Sequence, residues 1–137
     1  MRVPIVLIAA ALAAAAPVAR GQAVPYEVVK DGIPSPLTAT TPGAAARGKL
    51  LLQQRQQAIC LQCHAIKGLN GGSSAPPLDG IGASLTVPQL RLSVVDFSQV
   101  AAGRAMPSFH KARGDAAPRL SAQEVEDVVA YLATLRL

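Results

Sequence analysis

Apolar positions recur most regularly near the end of the chain. Val125, Val128, Val129, Leu132 and Leu135 fall three or four residues apart, the single stripe of an amphipathic helix. Just before it, Ser121-Ala122-Gln123-Glu124 has the form of a capping box, and Leu120 with Val125 that of a hydrophobic staple. A second helix is expected from Thr41 as N-cap, with Pro42 at the first helical position, to about Ile59. Leu50, Leu51 and Leu52 give it apolar bulk. A shorter helix is expected over 86–96, capped by Thr86, with Leu90, Val94 and Val95 on one side. Residues 65–84 read as loop, because Gly68, Gly71, Gly72, Pro76, Pro77, Gly80 and Gly82 leave little room for a regular element. Another loop carries Gly103 and Pro107. Residues 24–42, with Pro25, Gly32, Pro34, Pro36 and Pro42, read as an extended arm with neither period. No stretch alternates well enough for a strand and no internal repeat is visible. The pattern predicts an all-α domain over 43–137, helices and long loops.

The first 23 residues stand apart. Arg2 supplies a positive n-region, and Val3–Val18 is apolar but shorter than the ~20 residues a bilayer span needs. Pro4 and Pro17 interrupt it, and the small-residue site Gly21-Gln22-Ala23 follows. This reads as a secretory signal cleaved after Ala23, with no membrane span left afterwards. Export puts the mature chain in the periplasm, where a lone cysteine pair would normally be oxidised.

Composition then raises a question about the core. The 137 residues contain no Trp and 3% aromatics, so few large side chains can fill an interior. A small domain of this kind usually needs a staple, a metal or a large cofactor. Two cysteines are too few for a disulfide-dense scaffold or a four-thiolate cluster. The formal charge of +5 comes without a run of like charges and with few aromatics for base stacking, which argues against nucleic acid as a partner.

The two cysteines supply the answer. Cys60-Leu61-Gln62-Cys63-His64 is C-x-x-C-H, the attachment spacing of c-type haem. Two thiols three residues apart can each add to one vinyl group of the same porphyrin, and His64 is then placed to ligate iron. A thiol–disulfide redox pair is another use of C-x-x-C, but it belongs in a βαβ context that the pattern lacks. A zinc site would need a fourth ligand and another spacing. Once the signal is gone, the second iron ligand has two soft or imidazole candidates, Met106 and His110. Met106 lies in Ala105-Met106-Pro107-Ser108-Phe109, where proline restricts the residue before it and can hold the thioether toward the ring. His/Met ligation raises the reduction potential and leaves no open iron face for substrate, so the expected task is electron transfer without bond chemistry at this iron. A carbonyl of Ala75-Pro76-Pro77-Leu78, with Pro76 the leading candidate, could accept the second ring N–H of His64. Leu78 and Phe109 are candidate pocket residues, and Gly48 a point where Tyr131 can approach the first helix. Lys67, Arg104, Lys111 and Arg113 flank the ligand loops and could form a basic docking rim.

Together the C-x-x-C-H site, the proline loop, the Met-Pro loop and the closing helix resemble a class I cytochrome c. The flanks narrow the resemblance. Residues 28–38, Pro42-Gly43, Ala46-Arg47-Gly48, Leu90-Arg91-Leu92, Val95-Asp96 and 125–132 resemble SoxX, the monohaem subunit of the periplasmic SoxAX complex of sulfur-oxidising bacteria. Ala58-Ile59 and Val100-Ala101-Ala102-Gly103 depart from that family's pattern. The resemblance implies a heterodimer with a SoxA-like subunit whose own haem joins thiosulfate oxidatively to a cysteine of a SoxY-type carrier. The pair would be an L-cysteine S-thiosulfotransferase. The SoxX-like chain would take the electrons and pass them to a small acceptor cytochrome, with Cys60 and Cys63 anchoring one haem c and His64 and Met106 ligating its iron. The generic cytochrome features alone would also suit a free periplasmic electron carrier with no dedicated partner.

Overall fold

The computed structural model describes residues 24–54, 59–111 and 117–137. The expected signal segment, the approach to Cys60 and Arg113 lie outside the described residues. Five helices follow in order: α1 (Ala45–Gln53), α2 (Cys60–Cys63), α3 (Ile81–Ser84), α4 (Val87–Val95) and α5 (Ala122–Leu132), with a 3-10 turn at Phe97–Gln99 between the last two. Among the described residues the only extended pairings are isolated bridges, Val29 with Gly32 and Ile66 with Leu69. The all-α expectation holds.

The two helices with capping signals start where their sequences place them. Thr86 accepts from the Gln89 amide while the Gln89 side chain accepts from the Thr86 N–H. Ser121 and Glu124 do the same for α5. Both boxes satisfy amide groups that a helix start otherwise leaves unpaired. The staple pair, Leu120 and Val125, is fully buried. The side of α4 is less simple than expected, since Leu92 and Arg91 are buried along with Leu90, Val94 and Val95.

The start of α1 differs from expectation. The helix begins at Ala45, three residues beyond Pro42, with Ala44 at the N-cap and no side-chain cap of its own. The cap comes from α5: the Ala44 N–H donates to Asp127 Oδ1 at 2.8 Å. Arg47 binds the same carboxylate through Nε and Nη2, both at 2.8 Å. The Thr41 carbonyl meanwhile accepts from the Thr38 hydroxyl. A partner more than eighty residues away therefore decides where α1 begins. Of its three leucines only Leu52 is fully buried; Leu51 is half-buried and Leu50 exposed. A second difference is α3, a single turn inside the stretch read as loop.

Helices α1 and α5 cross closely at Gly48. A Cβ there would sit 2.0 Å from the Asp127 carbonyl oxygen and 2.9 Å from the Tyr131 Cβ, so only glycine permits the approach. The predicted Gly48–Tyr131 contact is present.

The arm is extended, as expected, but it is not peripheral. Ile33 and Leu37 have no exposed surface and join Leu52, Leu90, Val95, Val125 and Val128 in one core. The Ile33 N–H donates to the Pro88 carbonyl. Arg91 and Glu126, both buried, pair at 2.7 and 3.0 Å. Arg91 also donates to the Ile33 carbonyl at 2.6 Å, and Glu126 accepts from the Leu37 N–H at 2.9 Å. This network ties arm, α4 and α5 together. Each partner would be costly left alone in the core, and here the charges and the arm's backbone groups satisfy one another.

Candidate metal centre

Helix α2 is one turn long and carries both cysteines, with His64 as its C-cap donating to the Cys60 carbonyl. Residues three apart on a helix share a face, so both thiols start from the same side. Neither forms a disulfide; Cys60 is half-buried and Cys63 exposed. Burial pushes the Cys60 thiol up to about 11. A reactive redox cysteine needs the opposite shift, toward a stable thiolate. The raised Cys60 pKa, and the lack of a βαβ unit among the described residues, both disfavour the redox reading of C-x-x-C.

After His64 the chain folds back over α2. Gly72 N–H donates to the Leu61 carbonyl, Ala75 N–H to Cys63 and Leu78 N–H to Ala65, all at 2.9–3.0 Å. At Gly71 a Cβ would lie 2.2 Å from the His64 carbonyl oxygen, so a side chain there would force the loop off the helix. This return places the Pro76 carbonyl 2.6 Å from His64 Nδ1. A carbonyl can only accept, so Nδ1 carries the proton and Nε2 keeps the lone pair available for a metal. A ligating imidazole is expected to have its other nitrogen bound in this way.

Leu78 and Met106 are both partly buried against the core, and Phe109 is inside it. The Met106 segment is strapped to the end of α4: Phe109 N–H donates to the Val94 carbonyl, and His110 and Lys111 N–H groups to Val95. His110 has another use. Its Nδ1 donates to the Leu120 carbonyl at 2.9 Å, and its ring lies 6.4 Å from that of Tyr26 in the arm. Lys111 does not stand free on a rim. It pairs at 2.9 Å with Asp96, a carboxylate with no exposed surface. Lys67 and Arg104 are exposed, as a rim would require.

The charged residues that organise this region, Asp96, Arg91, Glu126 and Asp127, were not read as such from the sequence. Their signal is an ionisable residue inside an apolar run, Arg91 in LRLSVV and Glu126-Asp127 in VEDVV. A charged residue buried in such a run has to be paired, as these four are.

The donor set fits a covalently held haem. The two free thiols and the oriented imidazole follow one another on α2. Among the described residues no group of three or more His, Cys, Asp or Glu could hold a bare metal ion.

The model of the cytochrome c family matches residues 45–136, and the chain belongs to that family, whose members carry covalently bound haem c. Within it the chain is a SoxX-like class I cytochrome c. It is similar to a chain of the SoxXA crystal structure from P. pantotrophus, with 33% identity and a TM-score of 0.76 over 82% of this chain and 95% of that one. The c-type cytochrome SorU from Sinorhizobium meliloti aligns at 20% identity and a TM-score of 0.49 over 67% of this chain and 90% of that one. No curated protein matches the sequence.

Proposed function

We propose that this chain is the electron-accepting subunit of a two-subunit, SoxAX-type enzyme of the periplasm, exported by its 1–23 signal. Its partner is a SoxA-like cytochrome that joins thiosulfate to a cysteine of a SoxY-type carrier. The electrons pass through this chain to a small acceptor cytochrome. The observation that carries the reading is the C-x-x-C-H turn with its His64–Pro76 bond, in a chain similar to SoxXA across nearly the whole of that chain.

Each residue then has a task. Cys60 and Cys63 anchor the group through thioether bonds. His64, its tautomer held by Pro76, would hold the iron through Nε2. Met106 would hold it through sulfur, from a loop that Pro107 restricts and that is strapped to the end of α4. Leu78 and Phe109 line the pocket and keep water from the ring. When bound, the haem supplies a one-electron couple, and a thioether ligand raises its potential as an acceptor requires. No residue here touches the sulfur substrate.

The test is a sizing column run on periplasmic extract of thiosulfate-grown cells, with fractions stained for covalent haem on a denaturing gel. Co-migration with a second haem-bearing chain is expected. Elution alone, at the size of one small domain, would make the protein a free carrier.

A further inference from the structure

We propose that Asp96 is the positioning residue of the Met106 loop: its carboxylate closes the chain from Asp96 to Ser108 at the base and sets how firmly the Met106 sulfur is held at the iron. This rests on the reading of Met106 as a ligand.

Asp96 follows the last residue of α4 and is wholly buried. Both its oxygens are used, and the donors come from both sides of Met106. On the near side, Ser98 Oγ donates to Oδ1 at 2.5 Å and Gln99 Nε2 to Oδ2 at 3.1 Å. On the far side, Ser108 Oγ donates to Oδ1 at 2.8 Å and Lys111 Nζ to Oδ2 at 2.9 Å. One side chain thus joins the 3-10 turn where the loop leaves α4 to the segment where it comes back. Ser108 is two residues from Met106, so this tether acts next to the sulfur.

The residue type matters. Four donors converge, and only a carboxylate offers two accepting oxygens on so short a stem. Burial by itself would raise the pKa of Asp96, but the bonds from Ser98, Lys111, Ser108 and Gln99 outweigh it and hold the group ionised, well below the usual carboxylate range. Asparagine has nearly the same shape. It would keep one acceptor and turn an NH2 group toward the Lys111 ammonium and the Gln99 amide, both of which are donors. The Oδ2 half of the knot would then be lost with little change in volume.

The experiment uses the ferric holo-protein and adds imidazole, which competes with the thioether for iron. The sulfur-to-iron charge-transfer band reports the bound methionine directly. Asp96→Asn is expected to bind imidazole about tenfold more tightly than the parent, the lower end of what loss of an outer-shell partner costs a metal site. Ser108→Ala should move the same way by less. Arg47→Ala is the control. It breaks the α1–α5 pair, whose further bonds run to Pro42, Ala44 and Gln123 and not to the loop, so it lowers stability and should leave imidazole affinity unchanged. If Asp96→Asn does not fold, Ser108→Ala decides. A parent that shows the band, with both loop variants unchanged or no different from Arg47→Ala, overturns the role of Asp96 and leaves the ligand standing. A parent without the band overturns both.

Discussion

The two segments proposed to hold the iron, the histidine side at the C-x-x-C-H turn and the methionine side at the Met106 loop, are built differently. On the histidine side everything is close in sequence. Cys60, Cys63 and His64 share one helical turn and its cap, and the loop that delivers the Pro76 carbonyl returns within a dozen residues. On the methionine side the chain has no helix to stand on. Met106 sits in a loop held from outside, by the carbonyls of Val94 and Val95 and by the carboxylate of Asp96. One side is rigid because its members are covalent neighbours. The other is rigid only while the end of α4 is in place, and α4 is itself held by the arm and α5 through Arg91 and Glu126. The histidine side should therefore survive damage that releases the methionine.

The strongest way to break the comparison is to remove the anchor. Cys60→Ala with Cys63→Ala should leave the chain without cooperative unfolding, because the haem fills the space that few large side chains can fill. A sharp thermal transition by circular dichroism in that variant would show that the arm, α4 and α5 suffice alone. Next in size is Arg91→Leu. It strands Glu126 in the core, and denaturant unfolding of the holo-protein should show a loss of about 3–5 kcal/mol. The methionine band should be lost at lower denaturant than the histidine ligation.

Exchanging the two ligand candidates sharpens the contrast. Met106→Ala should abolish the sulfur-to-iron band and lower the reduction potential in a redox titration, while costing only about 1–2 kcal/mol of stability at a half-buried site. His110→Phe should keep band and potential and lose about 1 kcal/mol with its bond to Leu120. A lost band in the second variant and an intact one in the first would reverse the assignment.

The smallest effect is acid sensitivity. Burial would raise the pKa of Asp127, but Arg47, the Ala44 N–H and Gln123 lower it on balance, and Asp96 is also held low. Carboxylates whose folded pKa lies below the unfolded ~3.9 bind fewer protons when folded. Their contribution is complete above that value and fades as pH falls below it. Stability measured against pH should therefore drop below about pH 4. Asp127→Asn should flatten that drop; a curve of unchanged steepness would show that other carboxylates dominate.

The C-x-x-C-H turn, the caps of α4 and α5, the staple and the Pro76 acceptor were all legible in the chain. Each is a relation between residues a few positions apart, so helical geometry or a short return decides it. The role of Pro76 needed one further step, that an imidazole ligand wants its other nitrogen bound. The arm was legible in conformation but not in place, because proline and glycine announce an extended chain and say nothing of what Ile33 and Leu37 rest against.

Packing between distant segments settles where charge enters the interior. Asp127 caps α1 from 83 residues away, Glu126 reaches the arm across 89, and Asp96 gathers donors from both sides of the Met106 loop. None of these follows from a local pattern. A buried carboxylate is tolerable only where several donors meet it, and those donors are assembled by packing rather than by spacing. The haem-attachment spacing and the histidine beside it could be read directly from the chain, because covalent neighbours set both. How the Met106 loop is held was left to packing, because its donors meet Asp96 from both ends of the loop.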